Sequence, residues 1–207
     1  MSQYFQIHPE TPQPRLVRQA VDLLRQGAVI VYPTDTCYAI GCGIGDKQAI
    51  DRIRAIRRLD DRHNFTLVCR DLSEIGTYAR VDNTVYRLIK AFTPGPYTFL
   101  LPATREVPRR LQHPKRKTIG IRVPDNPVAQ ALLAELGEPL MSTTMQLPGD
   151  ELPLGDPLEI RERLERQVDL VIDGGMGGLE PTTVVDLVSG APEVLREGAG
   201  DPGPFRE

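Results

Sequence analysis

Ala28-Val29-Ile30-Val31-Tyr32-Pro33-Thr34-Asp35-Thr36-Cys37-Tyr38-Ala39-Ile40-Gly41, residues 28–41, carry the decisive signal. The run from Ala28 to Tyr32 reads as a buried strand, and Pro33, which has no N–H to extend a ladder, ends it. Beyond the strand lie two threonine hydroxyls, a carboxylate and a tyrosine. Open α/β sheets place their binding groups at such strand ends, and these groups can hydrogen-bond a small zwitterion such as an amino acid. Spacing alone also allows an ordinary turn into the next element, capped by Thr and Asp. Gly41, Gly43 and Gly45 follow as a loop. A dinucleotide fingerprint needs glycine where Asp46 stands, and no Gly-Lys-Ser/Thr is nearby, so neither that motif nor a Walker-type phosphate loop is present.

Outward from this stretch, helices and strands alternate. Before it, Leu16, Val17, Ala20, Val21, Leu23 and Leu24 fall at helical spacing between Pro14 and Gly27. After it, Asp46 is a candidate N-cap for a helix over 47–58, with Ala49, Ile50, Ile53 and Ile56 on one side. Strands are expected over 65–69, 97–101, 119–123, 139–144, 168–172, 183–187 and 193–196. Helices are expected after Asp71 and Asp82, from Asn126-Pro127 to Gly137, and over about 157–166. No linker-like break or internal repeat interrupts this order. The expectation is a single α/β domain over 1–207, with its core over about 14–198, a mixed twisted open sheet, and a loose tail over 199–207.

The 207 residues have a formal charge of −3, 40% hydrophobic and 26% charged residues, an ordinary globular composition. No apolar run reaches the roughly 18 residues of a membrane helix, so no membrane association is expected, and the N-terminus shows no secretory pattern. Cys37, Cys42 and Cys69 make an odd set without disulfide spacing, which suits a reducing cytoplasm. With His8, His63 and His113 they form no metal pattern, and no protein-bound metal is expected. Residues 150–207 hold 14 acidic and 5 basic side chains, so the rest of the chain is basic. The bases concentrate at Arg52, Arg54, Arg57, Arg58 and Arg62, and at Arg105, Arg109, Arg110, Lys115, Arg116 and Lys117. Such clusters suit a nucleotide or a nucleic-acid backbone, or are simply solvated faces. Arg122 lies among apolar strand neighbours, so its charge needs a partner, either a ligand anion or a structural carboxylate.

Several segments, in order, carry a family resemblance: Tyr-Pro-Thr-Asp-Thr-x-Tyr at 32–38, Pro-Gly-Pro-Tyr-Thr at 94–98, Ile-Arg-Val-Pro at 121–124, Thr-Thr-Val-Val-Asp-Leu at 182–187 and Leu-Arg-Glu-Gly at 195–198. They resemble the YrdC/YciO family, and His-Asn-Phe-Thr-Leu at 63–67 brings the likeness closest to the YciO branch. The resemblance implies a YrdC-like twisted α/β fold with a large, concave basic surface. It implies an L-threonylcarbamoyladenylate synthase, a nucleotidyltransferase using L-threonine, bicarbonate and ATP towards N6-threonylcarbamoyladenosine of tRNA. Mg²⁺ would accompany the ATP. Thr36, Arg122, Ser142 and Thr182 match positions that hold threonine, and Asn64, Thr118, Thr144 and Arg196 match positions that hold the nucleotide. Arg57, Thr144 and Arg196 are the expected catalytic positions. A guanidinium such as Arg122 can grip a carboxylate bidentately, and catalysis would rest on positioning and electrostatics.

The departures from the family pattern are specific. The synthase's Lys-x-Arg becomes Arg57-Arg58-Leu59 and its Ser-x-Asn becomes Thr144-Met145-Gln146. With one residue inserted in the loop at 60–64, Cys69 replaces a histidine. Leu59 removes a phosphate-binding cation, for which Arg58 or Arg62 is a candidate substitute. Three readings follow: the synthase, with slowed turnover; a double-stranded RNA or tRNA binder using Arg109, Arg110, Lys115, Arg116 and Lys117; and a related nucleotidyltransferase with another amine substrate.

Overall fold

Val29 and Val31 pack to one side of the first long apolar run, Ile30 and Tyr32 to the other, and this two-residue alternation separates two cores across one sheet. The computed structural model describes residues 1–206. Its strands are β1 (Gln3–Gln6), β2 (Ile30–Tyr32), β3 (Ala39–Gly43), β4 (Thr66–Val68), β5 (Tyr97–Pro102), β6 (Thr118–Arg122), β7 (Leu140–Thr144), β8 (Leu170–Asp173), β9 (Thr183–Asp186) and β10 (Glu193–Arg196). Their order in the sheet is β1-β8-β2-β3-β7-β4-β6-β5-β9-β10. Pairs β1/β8, β2/β8, β4/β6 and β5/β9 are parallel and the others antiparallel, which makes the sheet mixed, as the sequence pattern implied.

The helices are α1 (Pro14–Arg25), α2 (Lys47–Arg57), α3 (Ile75–Tyr78), α4 (Asn83–Ala91), α5 (Pro127–Leu136) and α6 (Pro157–Leu164). Caps anticipated from the sequence are in place: Asp46 accepts from Ala49 N, Asp82 from Val85 N and Asn126 from Ala129 N. On one face α1 and α5 cover Ile30, Tyr32, Val68 and Leu140. On the other, α2, α4 and α6 cover Val31, Leu67, Ile121, Met141 and Val171. The first face is thus roofed only over the β8-β2-β3-β7 side. Towards β6, β5 and β9 it carries the small and hydroxyl side chains of a cavity floor.

Four expectations need correction. Residues 39–43 are not a loop but β3, paired with β2 and β7. The glycines that suggested a loop permit close approach: a Cβ on Gly41 would lie 2.7 Å from Ser142 Oγ and 2.8 Å from Met141 O. The sheet also begins before residue 14, because β1 pairs with β8. Asp71 caps no long helix; it accepts from Ser73 N at 2.9 Å, and α3 is a single turn. Finally, the segment after 198 is docked. Phe205 is 3% exposed and sits 4.7 Å from Phe92 and 5.4 Å from Tyr97, centroid to centroid. Tyr97 Oη donates to Asp201 O, and Thr183 Oγ1 to Gly200 O.

Candidate active site

The open part of the sheet face floors a cavity of about 270 Å³. Register explains its composition. Thr66 pairs with both Ser142 and Gly120, Val68 pairs with Arg122, and Thr98 pairs with Val184. Side chains opposite one another across a ladder share a face, so four neighbouring strands turn hydroxyls and one arginine into a common space. Gly120 keeps the floor low, since a Cβ there would lie 2.8 Å from Thr66 Oγ1.

Walls rise on three sides. The β2–β3 connection supplies Thr36 and Cys37, held by the segment after β8: Gly178 N donates to Thr36 O, and Tyr38 Oη donates to Gly175 O. The end of α2 and the loop after it supply Arg57, His63 and Asn64. The third wall is Pro181, Thr182 and Arg196. Thus seven of the eight residues expected at the substrate and nucleotide positions, Thr36, Asn64, Arg122, Ser142, Thr144, Thr182 and Arg196, line one cavity together with Arg57, expected as catalytic. Thr118 does not. Its hydroxyl is buried without a partner at the start of β6, two residues before Gly120.

The cavity's polar groups are already organised. Arg122, 8% exposed, donates from Nη2 to Asp35 Oδ1 at 2.5 Å, Thr36 Oγ1 at 2.9 Å and Thr34 Oγ1 at 3.2 Å. The partner its position called for is therefore a structural carboxylate. Arg122 Nε and Asp35 Oδ2 are buried with no hydrogen bond. Arg196 donates to Thr182 O and, at 3.2 Å, to Thr182 Oγ1, which shares a 2.8 Å hydrogen bond with Thr98 Oγ1. Ser142 Oγ and Tyr32 Oη share one at 2.5 Å, and burial pushes the Tyr32 phenol up to about 12. Arg57 donates to Gln146 O at 2.7 Å and to Thr143 Oγ1 at 2.6 Å. Burial, and then repulsion from Arg196, lowers the Arg57 pKa from its ordinary value, although a guanidinium stays charged. Among the described residues Arg57, Arg122 and Arg196 line the cavity and no carboxylate does, so its field is positive.

The departures from the family pattern fall into two classes. Leu59 packs against the core instead of reaching the cavity, and Cys69 is buried in the same core. Gln146 does line the cavity, but its amide donates to Asp150 O and ties down the following turn. Arg58 and Arg62 are exposed and lie outside the lining. Of the arginines on α2, Arg52 is paired with Asp169 at 2.8 Å, and Arg54 donates to Arg110 O at 2.8 Å while lying over Phe65. Arg109, Arg110, Lys115, Arg116 and Lys117 form an exposed surface on the β5–β6 connection, outside the cavity; Arg116 is paired with Asp186 at 2.5 Å.

Sequence reasoning did not name Thr98 and Thr143 as site residues, although both line the cavity. Thr98 and Thr143 were traceable only as hydroxyls inside apolar strands, and their role depends on which strands become neighbours. His63 Nε2 lies 3.1 Å from Thr143 Oγ1, and the ring meets Phe65 edge-on at 5.2 Å.

Comparison with known proteins bears on the family and the fold. Residues 22–198 match the profile of the Sua5/YciO/YrdC family, described as "Telomere recombination". The chain belongs to this family. It is 62% identical to "Uncharacterized protein YciO" of Escherichia coli (strain K12) over 205 residues, 99% of this chain and 100% of that one. The crystal structure of E. coli YciO superposes with a TM-score of 0.96, covering 99% of this chain and 100% of that chain. The threonylcarbamoyl-AMP synthase of Halorhodospira halophila (strain DSM 244 / SL1) is 34% identical over 88% of this chain and 96% of its own. P. abyssi Sua5, crystallised with L-threonine, superposes with a TM-score of 0.86 at 25% identity, covering 94% of this chain and 57% of that one.

Proposed function

We propose that this family member binds L-threonine beside ATP in the cavity and, with bicarbonate, joins them as L-threonylcarbamoyl-AMP. The observation that carries this reading is the convergence of Thr36, Arg122, Ser142 and Thr182 with Arg57, Asn64, Thr144 and Arg196 on one cavity. Threonine's amine and bicarbonate give a carbamate and water. A carbamate oxygen then attacks the α-phosphorus, the bond to the bridging oxygen breaks, and pyrophosphate leaves with that electron pair. Arg122, whose Nη2 is held by Asp35, Thr36 and Thr34, orients the amino-acid carboxylate with its remaining N–H groups, and the hydroxyls of Thr36, Ser142 and Thr182 fix the other groups of the amino acid. Arg57 and Arg196 meet charge at the phosphates. This chemistry is positioning plus electrostatics. Among the described residues no carboxylate lines the cavity, so Mg²⁺ would come with the ATP and would supply charge neutralisation at the leaving pyrophosphate.

With Leu59 packed against the core, one cation is missing at the phosphate end. Losing one such group lowers turnover by about 10²–10³ while binding persists. Purified protein given L-threonine, bicarbonate and labelled ATP should release pyrophosphate slowly and only when threonine is present. Release without threonine contradicts the reading, and release with a different amine identifies an altered substrate.

A second reading rests on the exposed Arg109, Arg110, Lys115 and Lys117, tied to α2 through Arg54 and Arg110 O. These four cations suit a double-stranded RNA or tRNA backbone. If each contacts one phosphate, the logarithm of affinity falls with the logarithm of salt at a slope of about −3 to −4. A flat salt profile removes this reading.

A further inference from the structure

We infer that His63 is a nucleotide-contacting residue of this chain, a neutral imidazole donating a hydrogen bond from Nδ1 to a phosphoryl oxygen, with Thr143 and Arg57 fixing its tautomer. This rests on the functional reading above and extends it to a residue to which the resemblance gave no role.

The argument is one of donors and acceptors. Arg57 can only donate, and its Nη1 lies 2.6 Å from Thr143 Oγ1. The Thr143 hydroxyl is buried and must place its own proton. His63 Nε2, at 3.1 Å, is the other group within hydrogen-bond reach of that oxygen among the described residues. Nε2 therefore accepts, and the ring proton resides on Nδ1. If Nε2 donated instead, Thr143 Oγ1 would accept twice and its proton would have no acceptor among the described residues, forfeiting a hydrogen bond of about 1 kcal/mol. The ring is further held by its edge contact with Phe65, which is 1% exposed.

The surroundings select the ligand group. His63 lines the cavity beside Asn64, Arg57 and Thr143, at the end assigned to the nucleotide. Arg54, Arg57 and Arg196 act on the ring electrostatically, with Asp60 as the opposing carboxylate. Burial and the neighbouring Arg57 push its pKa down to about 4, so near neutral pH it offers a dipolar donor and not a charge. A donor amid guanidinium groups suits an anionic oxygen. Cys69, in the position of the family's histidine, is in the core, so this chain brings an imidazole into the cavity from the preceding loop instead.

The other two histidines supply an internal contrast. His8 Nδ1 accepts from Glu10 N and Thr11 N, and His113 Nδ1 from Lys115 N and Arg116 N. Both must be Nε2–H tautomers. Long-range ¹⁵N–¹H spectra of the unliganded protein at pH 7.5, assigned with His63→Ala, should show one Nδ1–H ring among three. Thr143→Ser should preserve that signature and Thr143→Val should weaken it, which a purely structural role for Thr143 would not do. In calorimetry with ATP, His63→Ala should bind about 10- to 100-fold more weakly, with L-threonine affinity within twofold of wild type. An Nε2–H ring at His63 overturns the inference outright. Equal ATP affinity in wild type and His63→Ala overturns it while leaving the functional reading intact. Wild-type protein that binds neither ATP nor threonine overturns that reading, and the proposed contact with it.

Discussion

Replacing Arg122 by alanine removes the guanidinium that holds Asp35. The two side chains approach to 2.5 Å at exposures of 9% and 12%, so solvent screens them little. At an effective dielectric near 20, unit charges about 4 Å apart attract by about 4 kcal/mol. Desolvating both ions offsets most of that, so the intact pair contributes little net stability, but removing one partner leaves the other buried and uncompensated. Asp35 Oδ2 already has no partner, and the substitution takes away the partner of Oδ1 as well. The expected loss is about 3–5 kcal/mol. At about 2–4 °C per kcal/mol for a chain of this size, the midpoint falls by about 6–20 °C. Asp35→Ala should lose a similar amount, and the double variant should lose less than the sum of the two by at least about 2 kcal/mol. Urea unfolding at pH 7, with m-values compared across the four proteins, measures this cycle. Single losses below about 1 kcal/mol, or additivity within about 0.5 kcal/mol, would refute the reasoning.

Three further outcomes are expected. Because burial and Arg57 depress the His63 pKa to about 4, the unfolded chain, with an ordinary value near 6.5, holds a proton that the folded one refuses. The associated stability is complete above about pH 6.5 and disappears as pH falls towards about 4, a total of about 3 kcal/mol. Comparing wild type with His63→Gln in urea titrations across that range tests it, and a ring titrating near 6.5 by NMR contradicts it. Phe205→Ala should cost about 3–5 kcal/mol in urea unfolding because Phe205 is buried against Phe92, Tyr97 and Phe99; a loss under 1 kcal/mol would mean that the terminal segment is not docked. Gly120→Ala places a methyl 2.8 Å from Thr66 Oγ1 and 3.2 Å from Phe65 O, so overpacking of about 1–3 kcal/mol is expected, with weaker ATP binding by calorimetry. Unchanged stability and binding would show that the floor has room.

The alternation of Val29 and Val31 with Ile30 and Tyr32, the caps Asp46, Asp82 and Asn126, and the terminator Gly137 were all readable locally, because strand period and capping depend on neighbours a few residues away. Eight positions that line the cavity could be named in advance for a different reason: the ordered motifs resemble a family. β3 was hidden by Gly41 and Gly43, which looked like loop formers and instead admit Ser142 and Met141 at close range. Phe205 was hidden because nothing within the terminal segment shows that Phe92 and Tyr97 wait for it.

By itself, then, the chain's residue order determined a mixed α/β architecture and the chemical kinds of group available: hydroxyls, guanidiniums and few histidines. Only the tertiary structure decided which of them meet. Strand order and register place Thr66, Thr98, Arg122 and Ser142 on one face. The same packing gives Arg122 to Asp35, lays Leu59 against the core and turns His63 to Thr143. These outcomes depend on contacts between residues tens of positions apart, where burial, charge pairing and hydrogen-bond satisfaction compete, and no local pattern in the chain encodes the result of that competition.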